Sequence, residues 1–294
     1  MRVLLTGATG WVGSAVAEEL MAAGHRVTGL ARDPAKGAAL AAQGAEVLAG
    51  TLDDLDQLKE AAASADAVIH TAFNHDFSQF AQNAEQDRRA IEAFGSALQG
   101  TDKPLLVTSG VAMLAPGRLA TEEDIPARGP SYPRKSEATA RDLAAQGIRA
   151  TTVRLAPSVH GAGDHGFVPQ LIAIARRTGV SGYIGAGTNR WAGVHRRDAA
   201  RVYRLILEQG RREQLAYHAI ADEGVTFQAI ADVIGRRLGL PVEARPPEHF
   251  GWLGSFAGID MAASSERTRQ ALGWTPKEPS LLEDLDSDAY FSRS

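Results

Sequence analysis

Leu4-Leu5-Thr6-Gly7-Ala8-Thr9-Gly10-Trp11-Val12-Gly13 joins a short apolar run to three glycines spaced three apart. Val3 to Thr6 is aliphatic and β-branched, as a strand would be. Behind the glycines, Val12, Val16, Leu20 and Met21 recur at helical spacing, and Gly24 closes the run as a helix stop. A strand that turns through glycines into a helix brings backbone N–H groups and the positive helix end close to an anion, because no Cβ blocks the approach. The implied ligand is the pyrophosphate of a dinucleotide.

The rest of the chain bounds that reading. Its 294 residues are enough for a sizeable core and for one large or two unequal domains. The 31 Lys and Arg against 35 Asp and Glu give a formal charge of -4, which argues against nucleic acid or an anionic membrane as the main partner. With no cysteine, disulfides, thiolate chemistry and Cys-based zinc sites are excluded. The first strand begins at Arg2-Val3 with no apolar leader before it, and no apolar run approaches the roughly 20 residues of a membrane span, so a cytoplasmic protein is expected.

Strands and helices alternate from there. Arg26 to Arg32 reads as a second strand and Asp33-Pro34 as a helix start. Ala45 to Leu48 is a third strand, Ala65 to Thr71 a fourth, Lys103 to Thr108 a fifth and Arg149 to Leu155 a sixth. This rhythm predicts an α/β fold with a Rossmann doubly wound parallel sheet. Residues 1–160 would form the dinucleotide-binding domain. Residues 161–294 would form mainly a smaller substrate-binding domain, with some segments returning to the sheet. From Asp76 to Leu98 an apolar face recurs at helical spacing and serves either core packing or a homodimer interface.

The end of the second strand bears on the cofactor. An acidic side chain about 20 residues after the glycines binds the ribose 2′-OH, whereas Arg there suits a 2′-phosphate. This chain has Arg32, with Asp33 one step late, which favours NADP over NAD.

The glycine turn, Gly50-Thr51-Leu52-Asp53, His70-Thr71-Ala72, Thr108-Ser109, Arg196-Arg197-Asp198-Ala199-Ala200 and Leu272-Gly273-Trp274-Thr275-Pro276 follow in the order of the extended short-chain dehydrogenases/reductases. Over nearly its whole length the chain resembles the NAD-dependent epimerase/dehydratase group of that family. The resemblance implies cofactor contacts at Gly7, Thr9, Gly10, Trp11, Val12, Gly13, Thr51, Leu52, Thr71, Ala72 and Thr108. It also implies a nicotinamide seat at Pro157, Ser158 and Val159. Thr51 stands where the family has the Asp of a Gly-Asp-Leu run.

The family's reaction uses a Tyr and a Lys four residues later, with a Ser or Thr after the fifth strand. A neighbouring ammonium lets a phenol of pKa about 10 exchange a proton near neutrality. Here Ser131-Tyr132-Pro133-Arg134-Lys135-Ser136-Glu137 puts Tyr132 and Lys135 three apart, and Pro133 suits a first helical turn. Ser109, Tyr132 and Lys135 are the catalytic candidates. A second register places Pro133 and Glu137 on the Tyr and Lys positions, and the residue after Ser109 is Gly110 rather than a hydroxyl.

Beyond the nicotinamide seat, His160 is a candidate substrate contact. Arg190 and Trp191 serve either as a pocket wall or as packing between domains, and Asp198 is expected to start a helix. No spacing among His160, Asp164 and His165 fixes a third ligand, so no metal is expected. Three functions remain in view. One is an NADP-dependent oxidoreductase moving hydride to or from a small carbonyl or alcohol. Another is a nucleotide-sugar epimerase or dehydratase. The last is a non-catalytic NADP-binding sensor or regulatory protein.

Overall fold

The computed structural model describes residues 1–74, 76–129 and 134–292. In chain order they form β1 (Arg2–Thr6), α1 (Trp11–Ala22), β2 (Arg26–Ala31), α2 (Pro34–Ala42), β3 (Glu46–Ala49), α3 (Leu55–Ser64), β4 (Ala67–His70), α4 (Phe80–Leu98) and β5 (Leu105–Gly110). Then come α5 (Ser136–Ala145), β6 (Ala150–Leu155), β7 (Ser158–His160), α6 (Phe167–Thr178), β8 (Ser181–Tyr183), β9 (Arg190–His195), α7 (Arg196–Gln209) and β10 (Ala216–Ala219). The last elements are β11 (Asp222–Thr226), α8 (Phe227–Leu238), β12 (Val242–Ala244), α9 (Gly254–Ala257), α10 (Glu266–Leu272), α11 (Leu281–Leu285) and α12 (Asp288–Phe291).

Seven parallel strands make the central sheet in the order β10-β6-β5-β4-β1-β2-β3, the doubly wound sheet expected from the sequence. Its strands are apolar on both sides because helices cover both faces. Leu5, Ile69 and Leu106 pack with α1 and α7, whereas Leu4, Val68 and Val107 pack with α3, α4 and α5. A third core, around Trp191, Phe227 and Phe250, holds the smaller lobe of α6, α8, α9 and α11. β10 returns from beyond residue 161 to close one sheet edge, and Thr268 of α10 accepts the His218 N–H at 2.7 Å to hold it there.

Three local expectations shift. The fifth strand starts after Pro104, which has no N–H to give the ladder, although its carbonyl still accepts from Val68. The long helix from Asp76 opens with a 3-10 turn at Phe77–Gln79 before α4. Asp198 does not start α7. The His195 ring accepts the Arg197 N–H at 3.2 Å and caps the helix three residues earlier. Buried Asp198 instead accepts the N–H groups of Lys277 and Glu278, both at 2.9 Å, and pairs with Arg201.

Candidate active site

The carboxyl ends of β1, β4 and β5 lie side by side, with Thr6 opposite His70 and His70 opposite Val107. A crevice along such ends is where open parallel sheets take ligands. Gly7 has φ +70, and a Cβ on it would stand 2.7 Å from the Ala72 nitrogen and from Thr71 Oγ1. A Cβ on Gly13 would stand 2.0 Å from the Gly7 carbonyl oxygen, so these two glycines are what let α1 pack against the strand end. Thr71 Oγ1 donates to the Thr6 carbonyl at 2.7 Å and the Ala72 N–H reaches Thr6 Oγ1 at 3.4 Å, locking β4 to the turn. Gly10 caps α1 without a side chain, and the first helical turn holds no acid. The Gly10 N–H closes on the Gly7 carbonyl at 2.8 Å, so it is the helix end from Trp11 onward that offers its first N–H groups and partial positive charge to an anion, and it fits a pyrophosphate.

Trp11 ties this turn to the segment after β6, its indole N–H donating to the Val159 carbonyl at 2.7 Å. The Arg196 guanidinium stacks 4.3 Å from the Trp11 ring and donates to Ser14 Oγ at 3.0 Å. In the sequence Arg196 stands only as part of a family motif. Its position against α1 follows from the packing of α7 on α1.

At the other end of the crevice Asp33 Oδ1 accepts the N–H groups of Ala35 at 2.8 Å and Lys36 at 3.2 Å, so this carboxylate caps α2. Arg32 is exposed and makes no ion pair with a described residue. Beside it a groove of about 240 Å³ is lined by Ala31, Arg32, Gly37, Val47 and Gly50 among others. Thr51 donates through its N–H and its hydroxyl to Asp54 Oδ2 at 2.7 and 2.9 Å, which holds the Asp54 carboxyl below its usual range. That hydroxyl proton is spent within the turn, and Leu52 packs on the core beside α3.

The candidate reaction end lies past β5. Thr108 Oγ1 and the Tyr203 hydroxyl share a hydrogen bond of 2.7 Å, and burial raises the Tyr203 phenol above its ordinary pKa. Ser109 is 1 % exposed and its hydroxyl has no partner among the described residues. A Cβ on Gly110 would meet only the Leu155 oxygen at 3.6 Å and the Ala112 nitrogen at 4.0 Å, so the backbone itself does not demand glycine there. Tyr132 lies outside the described residues.

Lys135 precedes α5, and its ammonium pairs with Glu85 of α4 at 2.7 Å. Arg88 first and Lys135 second hold that carboxylate down at about 2. The cation that reaches β5 is its neighbour Arg134, which donates to the Thr108 carbonyl at 3.2 Å and to Ser136 Oγ at 3.0 Å and stacks 4.4 Å from the Phe73 ring. Behind it runs a buried chain. Ser136 donates to Asp87 at 2.6 Å, Asp87 meets His70 Nε2 at 2.9 Å, and His70 Nδ1 meets Thr6 Oγ1 at 2.7 Å. Glu137, on the Lys position of the second register, receives Arg154 through bonds of 2.8 and 2.6 Å. Arg154 has no exposed surface, donates on to the Asp124 carbonyl and meets the His218 ring at 3.0 Å. Glu137 thus serves as the counter-charge of a buried arginine.

Pro157, Ser158 and Val159 lead out of β6, with the Ser158 hydroxyl buried and unpartnered among the described residues. His160 is fully buried, and its Nδ1 bonds Asp284 of α11 at 2.8 Å. Trp191 is also fully buried, packed against Phe167, Phe227 and Phe256, while Arg190 pairs with Asp260 at 2.7 Å. Trp191 is thus packed within the third core, whereas Arg190 keeps 37% of its side chain exposed beside Asp260. His160 and Trp191 expose no surface, and His160 Nε2 has no hydrogen-bond partner among the described residues.

The chain matches the model of the NAD dependent epimerase/dehydratase family over residues 3–218. It is 48% identical over 298 residues to an uncharacterized protein, C2A9.02, of Schizosaccharomyces pombe, covering 99% of this chain and 100% of the relative. It is also 32% identical over 187 residues to a Stigmatella aurantiaca protein, 4-hydroxy-2-methyl-3-oxo-4-farnesyl-3,4-dihydroquinoline-1-oxide ketoreductase, covering 60% of this chain and 55% of that one. Among solved structures, the dTDP-glucose 4,6-dehydratase DesIV of Streptomyces venezuelae superposes with a TM-score of 0.77 at 18% identity, over 97% of this chain and 95% of the other. That structure holds NAD. The chain belongs to the NAD dependent epimerase/dehydratase family, within the extended short-chain dehydrogenases/reductases, and is an NAD(P)-dependent enzyme.

Proposed function

We propose that this enzyme is an NADP-dependent oxidoreductase that moves hydride to or from a small carbonyl or alcohol. The observation that carries the cofactor choice is the state of Arg32 and Asp33. The Asp33 carboxylate commits its Oδ1 to the cap of α2, and the Arg32 guanidinium beside it has no acidic partner among the described residues. A 2′-phosphate suits Arg32, because it supplies an anionic partner for the guanidinium and accepts its planar N–H donors.

Bound along the strand ends, the dinucleotide supplies or accepts the hydride. Gly7, Gly10 and Gly13 let the pyrophosphate approach α1, and Val159 is fixed through Trp11 to line the far half. Ser109, whose hydroxyl has no partner among the described residues, and Tyr132 are the chain's candidates for holding the substrate oxygen and passing its proton. The ketoreductase likeness supports net carbonyl reduction over a hydride that is returned.

Titration with NADPH and NADH tests the reading. NADPH should bind at least tenfold more tightly, and Arg32→Ala should remove most of that margin. Equal affinity for both, unchanged in Arg32→Ala, would refute the phosphate role. Consumption of NADPH across a panel of aldehydes and ketones tests the reaction. Conversion of a nucleotide sugar without net oxidation would place the chain with the epimerases instead.

A further inference from the structure

Two cations flank the β5 to α5 connection, and their surroundings differ. Lys135 is 47% exposed at its side chain and is neutralised by Glu85. Arg134 is half-buried, has no carboxylate partner among the described residues, and is fixed at three points, by the Thr108 carbonyl, the Ser136 hydroxyl and the Phe73 ring. Its Nη1 bonds no described residue.

The buried chain from Thr6 through His70, Asp87 and Ser136 ends on Arg134 Nε, so the arginine is held from the same strand end that forms the glycine turn. His70 and Asp87 are each 1 % exposed and Ser136 is fully buried, which makes this a rigid support. A dinucleotide whose pyrophosphate sits on α1 spreads its halves to either side of β1. Arg32 stands on the β2–β3 side, so the adenosine half lies there. The nicotinamide half then lies over β4, β5 and β6, where Arg134 stands.

We propose that Arg134, and not Lys135, is the cation of the reaction end, donating from Nη1 to the hydroxyls of the nicotinamide ribose. This assignment rests on the dinucleotide reading above. Lys135 takes no part in it, because Glu85 already holds its ammonium on α4. A guanidinium presents N–H donors in a planar fork and no acceptor, so in this place it orients and attracts.

The test is calorimetric titration of the wild-type chain, Arg134→Ala, Arg134→Gln, Arg134→Lys and Lys135→Gln. Each is titrated with the tighter of NADPH and NADH and with the matching fragment that lacks the nicotinamide half, adenosine 2′,5′-bisphosphate or ADP. Arg134→Ala should weaken the whole dinucleotide about tenfold or more and leave the fragment within about twofold. Arg134→Lys should recover part of that loss, and Lys135→Gln should change neither ligand. Should Arg134→Ala fail to fold, Arg134→Gln decides, since its amide still reaches towards Thr108 without the charge. Equal loss for dinucleotide and fragment would mean that Arg134 only supports the fold, and this overturns the assignment. So does a Lys135→Gln loss larger than that of the Arg134 variants. A wild-type chain that binds no dinucleotide overturns the cofactor reading and this assignment together, whereas binding that Arg134→Ala leaves intact overturns the assignment alone.

Discussion

At the β1–α1 turn the contacts that set the geometry run between backbone atoms and glycines, while at the entrance to α5 they run between hydroxyls, a histidine and ionised side chains. The turn has Gly13 against the Gly7 carbonyl and Gly7 against the Ala72 nitrogen. The α5 side has Arg134 on Ser136, Ser136 on Asp87 and Arg154 on Glu137. Both regions frame the same crevice. The difference teaches that one end tolerates no added atoms, and the other tolerates no removed partner and is exposed to pH.

The sharpest way to break this contrast is to add one methyl at the turn. Gly13→Ala should cost about 3 kcal/mol and abolish dinucleotide uptake, because the Cβ has backbone on one side and cannot be accommodated by a rotamer. A urea midpoint equal to that of the wild type would show that the turn has slack.

On the other side, Asp87→Ala removes one carboxylate and strands both His70 and Ser136. A loss of about 2 kcal/mol in the same denaturation experiment is expected. Stability unchanged by this variant would mean that water or a rearranged Ser136 replaces the carboxylate, and the support of Arg134 would have to be sought elsewhere.

The pH dependence sharpens the comparison further. Burial first and Arg154 second push the His218 imidazole down to about 3. Its folded pKa lies below the unfolded value of about 6.5, so the unfolded chain binds the proton more readily in between. Stability from this group is complete above pH 6.5 and falls by about 1 kcal/mol per pH unit as the solution is acidified towards 3. Comparing the wild type with His218→Asn by thermal unfolding at pH 7.5 and 5.5 isolates the effect, which should be absent from the variant. Equal acid loss in both would assign it to other groups.

The smallest effect is expected at Gly110, a glycine that belongs to neither kind of construction. Gly110→Ser should change stability by no more than about 0.5 kcal/mol, since its Cβ meets nothing closer than 3.6 Å. A loss comparable to that of Gly13→Ala would mean that this corner is as tightly constrained as the turn.

This contrast also explains what the sequence discloses. The turn is legible because its glycines fall within seven consecutive residues and carry their own spacing. The support of Arg134 is not, because Thr6, His70, Asp87, Thr108 and Ser136 meet only after five separate elements have packed. Local rules misled where a tertiary partner intervened. Asp198 has the chemistry of a helix cap but is claimed by the 277–278 backbone, and the Thr51 hydroxyl is claimed by Asp54. Lys135 matches a motif by residue type, yet Glu85, fifty positions earlier, decides where its charge resides. His160 and Trp191 had the residue types of a substrate pocket, and only packing reveals that both are enclosed.

The return of β10 to the sheet sets a schedule for the nascent chain. Six strands and helices α1 to α5 are complete by Leu155, but α7 is still to come and β6 keeps a bare hydrogen-bonding edge until residues 216–219 leave the ribosome. Even then the edge is not secured before Thr268, whose hydroxyl takes the His218 N–H and which itself donates twice to the buried Glu122 carboxylate, at 2.8 and 2.7 Å. During that interval the half-finished sheet carries an unpaired edge of the kind on which another chain can add a strand.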